Sequence, residues 1–78
     1  MDNWKEEKNE LIADFEFNDF NEAWEFMSKV AVIAEQMKHH PDWRNVYNRL
    51  EIKLSTHDAG NTVTEKDWEL AAAINALL

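Results

Sequence analysis

The sequence has no cysteine, one glycine and one proline in 78 residues. Without thiols no disulfide can hold the fold, and no thiolate is available as nucleophile or metal ligand. A single glycine excludes a glycine-rich phosphate loop and a dinucleotide fingerprint. Together with the single proline it leaves little room for long loops. No apolar run approaches the roughly 20 residues that span a bilayer. Basic residues are also scarce. Eight Lys and Arg stand against sixteen Asp and Glu, a net charge of −8. That balance argues against nucleic acid, where basic patches dominate, and against an anionic membrane surface. The start, Met1-Asp2-Asn3-Trp4, is acidic and polar, unlike a secretory signal. A cytoplasmic protein is expected.

What is present suits one globular domain over residues 1–78. The chain is 45% hydrophobic and 31% charged, which is too apolar for a disordered segment. A chain this short buries only about 60% of its unfolded surface, so self-association would help it.

Hydrophobic period divides the chain. Trp4 to Glu10 is charged and reads as an edge strand or a loose start. Leu11, Ala13, Phe15 and Phe17 alternate with Ile12, Asp14 and Glu16, the mark of a half-buried strand in which Ile12 breaks the pattern and implies partial cover on the other face, and Asn9-Glu10 is the expected turn before it. Asp19 and Glu22 have capping-box spacing at the start of a helix. Phe20, Ala23, Trp24, Met27, Val30, Ala31 and Ala34 then recur at steps of three and four. Trp24 and Met27 are expected in the core. Phe26 and Ile33 widen the arc beyond one sheet contact, which leaves a flank for a partner chain. Pro41 ends the helix, since proline disfavours helical geometry in the residue before it. Trp43 to Tyr47 is a short strand, and Asn48-Arg49 a tight turn. Leu50, Ile52, Leu54 and Thr56 alternate with Glu51, Lys53, Ser55 and His57 in another strand. Asp58 to Asn61 is a loop. Thr64 and Asp67 repeat the capping spacing before a last helix, whose stripe is Trp68, Leu70, Ala71, Ala72, Ile74, Asn75, Leu77 and Leu78. The expected fold is α+β: a two-layer β-β-α-β-β-α unit, with two helices on one face of a four-stranded antiparallel sheet.

The three histidines fall in two short segments at element ends, Lys38-His39-His40-Pro41 and Ser55-Thr56-His57-Asp58. Three readings are open. The imidazoles cap a helix end and decorate a strand. They bind a metal, with Glu35 and Asp58 assisting. Or they exchange protons as general acid and base, a role suited to a group that titrates near neutral pH. The metal reading is the weakest: neighbouring side chains diverge, no His-x-x-x-His pair exists, and no thiol is at hand. No metal and no cofactor is expected.

The run His39-His40-Pro41-Asp42-Trp43, followed by Asn45-Val46-Tyr47-Asn48, Leu54-Ser55-Thr56-His57-Asp58 and Thr64-Glu65-Lys66-Asp67, resembles the pterin-4a-carbinolamine dehydratase family. Upstream, Phe15-x-Phe17, Asp19-Phe20, Ala23, Phe26-Met27, Val30-Ala31 and Ala34-Glu35 extend the resemblance from about Trp4 to Leu78. It implies a lyase that dehydrates 4a-hydroxytetrahydrobiopterin to quinonoid dihydrobiopterin and so recycles the pterin of aromatic amino acid hydroxylases. His39 and His57 are then the acid–base pair, and His40 holds and orients the pterin. Lys38, Ser55, Thr56 and Asp58 match positions lining the site. Glu35 would bind the guanidine-like edge of the ring, and Trp43 would wall the pocket. Each also has a plain alternative: a solvated helix end for Lys38, a surface carboxylate for Glu35, core packing for Trp43. Pro41 and Asp67 are supporting residues, Asp67 already explained as a cap. The resemblance implies a homodimer or homotetramer, with no nucleic acid and no membrane as partner. Two departures are expected: no N-terminal helix ahead of the first strand, which bears on the tetramer, and an Ala59–Val63 loop one residue longer than in some relatives. The competing function is a non-catalytic interaction module on the same fold, since some relatives serve as dimerisation cofactors.

Overall fold

Alternation in two strands near the middle of the sheet dictates the architecture. In the computed structural model, which describes residues 3–78, β4 (Arg49–Leu54) points Leu50, Ile52 and Leu54 inward, and all three are buried. Antiparallel β2 (Glu10–Glu16) lays Leu11, Ala13 and Phe15 directly opposite them, in the pairs Leu11↔Leu54, Ala13↔Ile52 and Phe15↔Leu50. Full burial of each large aliphatic side chain contributes about 1.5–3 kcal/mol. β1 (Lys5–Glu7) and β3 (Asp42–Val46) form the edges, in the order β1-β2-β4-β3, all antiparallel. The Met1-Asp2 part of the acidic start lies outside the described residues.

Two helices cover the apolar face: α1 (Phe20–Met37) through Phe26, Met27 and Val30, and α2 (Glu65–Asn75) through Leu70, Ala71 and Ile74. The four-stranded antiparallel sheet with two helices matches the expected α+β fold. No helix among the described residues is long and apolar enough to cross a membrane.

Several local expectations shift. The first hairpin turns at Lys8-Asn9, not Asn9-Glu10, and both residues have positive φ, 48° and 67°. That is the backbone of a type I′ turn, whose twist matches paired strands. The β3–β4 turn is Tyr47-Asn48, one residue earlier than the Asn48-Arg49 turn that asparagine suggested. Tyr47 takes the positive φ of 51°, while Asn48 instead donates its side-chain amide to the Phe17 carbonyl at 2.9 Å. Asp19 caps α1, accepting the Glu22 N–H at 2.8 Å, but Glu22 does not return the bond to Asp19. Its carboxylate accepts the backbone and side-chain N–H groups of Asn18. Trp24 is not in the core. It is 54% exposed and stacks on Phe20, itself 48% exposed, because the sheet is wide enough to receive only the Phe26 side of the arc. On α2, Trp68 and Ala72 likewise face outward, and beyond its end Leu78 is exposed.

Candidate active site

The helix end is built by backbone bonds before any side chain acts. Lys38 takes the left-handed conformation, φ 55° and ψ 37°. Its N–H reaches the Glu35 carbonyl at 3.2 Å and the His39 N–H reaches back to Ala34 at 3.1 Å. These two bonds form a Schellman motif, which satisfies carbonyls that a helix end leaves unpaired. Pro41 then prevents the helix from resuming, and β3 begins at Asp42. His39 and His40 are thus carried on a fixed corner.

The second corner is the β4–α2 connection. Thr56 pairs with Thr62 as an isolated bridge, its N–H on the Thr62 carbonyl at 2.9 Å. Between them His57–Ala59 makes one 3-10 turn. Gly60 at φ 83° and Asn61 at φ 59° reverse the chain, a geometry that glycine and asparagine tolerate best. His57 stands exposed on this loop.

The two corners meet at one cleft of about 590 Å³, a volume within the small-molecule range of about 300–1,000 Å³. His39, His40 and His57 all line it. So do Lys38, Pro41, Ser55, Thr56 and Asp58. Glu35, Trp43 and Asp67 do not. Trp43 shares a face with Ile52 and packs, half-buried, against the core. Glu35 and Asp67 stand behind the imidazoles. Residues that the sequence did not single out complete the wall: Lys8, Glu10, Asp42, Lys53, Asn61 and Lys66. Asp42 and Lys66 lay inside the runs that carry the resemblance, and Asn61 stands four residues from His57, whereas Lys8, Glu10 and Lys53 carried no signal.

Each imidazole has an acceptor on one nitrogen. His39 Nε2 lies 2.6 Å from Asp67 Oδ1, His40 Nε2 lies 2.8 Å from Glu35 Oε1, and His57 Nδ1 lies 2.7 Å from Asn61 Oδ1. Carboxylate and amide oxygens only accept, so these ring nitrogens carry the hydrogen. In the neutral ring the other nitrogen is then a free lone pair: Nδ1 of His39 and His40, Nε2 of His57. Among the described residues none of the three has a protein partner there.

The His39 pair is the buried one. The Asp67 side chain is fully buried and that of His39 is 11% exposed, whereas both side chains of the His40–Glu35 pair are mostly exposed. Asp67 is held from every side. Its Oδ2 accepts the Thr64 N–H and the Thr56 hydroxyl, each at 2.8 Å. Thr56 spends its only hydrogen on Asp67, so in the 2.6 Å Thr56–Thr64 contact Thr64 is the donor. The capping box expected at Thr64 and Asp67 is present and reciprocal. The carboxylate that completes the α2 capping box is therefore also the group that fixes the His39 tautomer. Among the described residues no three His, Asp or Glu side chains gather where a single metal ion could be held.

Nearly the whole chain is similar to known proteins. Residues 1–77 match the model of the family described as pterin 4 alpha carbinolamine dehydratase. A Rhodopseudomonas palustris protein, provisionally named pterin-4-alpha-carbinolamine dehydratase, is 55% identical over 76 residues, 95% of this chain and 74% of its own. A Nitrobacter winogradskyi protein of the same provisional name is 59% identical over 67 residues, and there the chain spans 65% of the relative's length. Among solved structures, a transcriptional coactivator/pterin dehydratase from Brucella melitensis superposes with a TM-score of 0.92 at 40% identity, covering 97% of this chain and 82% of that one. A pterin dehydratase-like RuBisCO assembly factor of the alpha-carboxysome superposes with a TM-score of 0.79 at 25% identity, covering 95% and 87%.

Proposed function

The chain belongs to the pterin 4 alpha carbinolamine dehydratase family, and we propose that it is a hydro-lyase converting 4a-hydroxytetrahydrobiopterin to quinonoid dihydrobiopterin by histidine acid–base catalysis. Dehydration breaks the C4a–OH bond and removes the proton on the neighbouring N5. The electron pair left on N5 forms the C4a=N5 double bond, and the departing hydroxyl leaves as water once protonated. Two proton transfers on opposite sides of one bond call for two separately placed groups. His39 and His57 are on different corners of the cleft and fit that need. Asp67 behind His39 stabilises an imidazolium, so His39 is assigned the N5 proton, as a carboxylate does behind a catalytic imidazole. His57, protonated, is assigned the departing hydroxyl, and His40 the orientation of the ring. Lys38, Ser55, Thr56 and Asp58 supply further polar contacts. The observation that carries the proposal is the meeting of three imidazoles in one cleft, each with its proton placed by an acceptor.

The test is the decay of chemically generated carbinolamine, followed by absorbance. Wild type accelerates the decay, and His57→Ala and His39→Ala each slow it at least about 10²-fold, within the usual range for a lost acid or base. Folded variants that match wild type would refute the assignment. A second reading, a non-catalytic interaction module, draws on the likeness to one structural neighbour that is a RuBisCO assembly factor. It predicts no acceleration by wild type.

A further inference from the structure

The charge of the cleft is opposite in trend to that of the protein. The chain carries −8 with six lysines, and four of those six, Lys8, Lys38, Lys53 and Lys66, line this one cleft. Three carboxylates, Glu10, Asp42 and Asp58, share the wall. With neutral imidazoles the lining is therefore +1 (four minus three), on a molecule of −8. No lysine is within 4.0 Å of a carboxylate among the described residues, where the ion pairs are those of His39 and His40. The lysine charges are therefore not spent on neighbouring side chains.

Backbone conformation points the same way. Lys8 sits in the β1–β2 turn at φ 48° and Lys38 at the end of α1 at φ 55°. Both positions favour glycine or asparagine, and a lysine there has a steric cost. Among the described residues five non-glycine positions have positive φ, and the two that are lysines both face this cleft. Lysine at such positions is better explained by its charge than by its conformation.

We propose that the cleft takes a reduced pterin whose C6 side chain ends in an anion, a phosphate or a carboxylate, held by Lys8, Lys53 and Lys66 beyond the ring. The proposal rests on the pterin reading above and names the substrate class within it. The neutral ring is bound at the imidazoles. The anionic tail extends to the lysines, which come from the first hairpin, the end of β4 and the first turn of α2. An exposed ion pair contributes a factor of roughly 1.5 to 5 in affinity, so three lysines together give roughly 3- to 100-fold, a range centred a little above tenfold.

The experiment measures binding to the full chain by pterin fluorescence, using 6-hydroxymethylpterin, its phosphate ester and 6-carboxypterin. Wild type binds at least one anionic compound about tenfold more tightly than 6-hydroxymethylpterin at low salt. The preference shrinks several-fold at about 0.5 M NaCl, where charges are screened beyond a few ångströms. It falls to about twofold or less in Lys8→Gln/Lys66→Gln, and persists in Lys5→Gln/Lys29→Gln, an equal charge change outside the cleft. Tighter binding of the phosphate ester alone, or of the carboxylate alone, supports the proposal and identifies the anion. Equal affinity for all three compounds overturns it, as does a preference that survives Lys8→Gln/Lys66→Gln. Failure of every pterin to bind refutes the pterin reading itself, which separates the two failures.

Discussion

Asp67 has two tasks on one carboxylate. One oxygen caps α2 and holds Thr56, and the other faces His39. An amide in its place has a single acceptor oxygen. If that oxygen keeps the Thr64 and Thr56 donors, its N–H₂ faces His39 Nε2 and forces the other tautomer. Asp67→Asn should thus lower kcat by about 10² or more, as mis-set tautomers do in other carboxylate–histidine pairs. It should cost only about 1–3 kcal/mol in urea unfolding, the range for an unsatisfied buried polar group. Unchanged kcat in a folded variant would remove Asp67 from the mechanism. The cap role was legible from Thr64-x-x-Asp67, because capping spacing is local. The contact with His39 was not, since it spans 28 residues and depends on how α1 and α2 lie together. Glu35 illustrates the same limit: a carboxylate five residues before the histidine it meets, His40, gives no sign whether it faces ligand or imidazole.

At the scale of elements, ends matter more than middles. Thr64 joins the α2 cap to the Thr56–Asp67 network, so Thr64→Ala should destabilise by about 1–2 kcal/mol, the upper part of the range for lost N-caps. A urea titration showing no loss would separate the network from the helix start. Lys38→Gly relieves a left-handed lysine and should raise stability by about 1 kcal/mol, whatever it does to ligand affinity. Strand faces were legible because a period of two with one apolar face allows a single register: Leu50, Ile52, Leu54 and Thr56 are all buried. Helix faces were less so. A helical stripe gives a direction but not a width, and width is set by the sheet beneath. Hence Trp24, and Trp68 at 38% exposure, lie outside the core despite sitting on their stripes. Turns slipped by one residue at both hairpins, where Lys8 and Tyr47 adopt conformations their residue types disfavour.

Across the whole molecule, charge and chemistry separate. Sixteen acidic residues against eight basic ones leave a net charge of −8 on a small protein, and the excess negative charges repel one another. On the open sheet face Asp14 lies directly opposite Glu51, an arrangement that costs roughly 0.2–1 kcal/mol. Added NaCl should therefore raise the melting temperature, and Asp14→Asn should raise it at low salt but less at high salt. A melting temperature that falls with salt would contradict this balance. The order of elements was legible in the sequence, but the concentration of lysines at one end of the sheet was not. It arises only when the first hairpin, the end of β4 and the start of α2 are brought together by the pairing of β2 with β4.

The central claim is that each imidazole offers the cleft a chosen nitrogen. Long-range ¹H–¹⁵N NMR of ¹⁵N-histidine-labelled protein, followed across pH, reads this directly. His39 is expected protonated at Nε2 and His57 at Nδ1, with the free nitrogens Nδ1 and Nε2 shifting when 7,8-dihydrobiopterin is added. A His39 ring protonated at Nδ1, or free nitrogens that do not respond to the pterin, would contradict it.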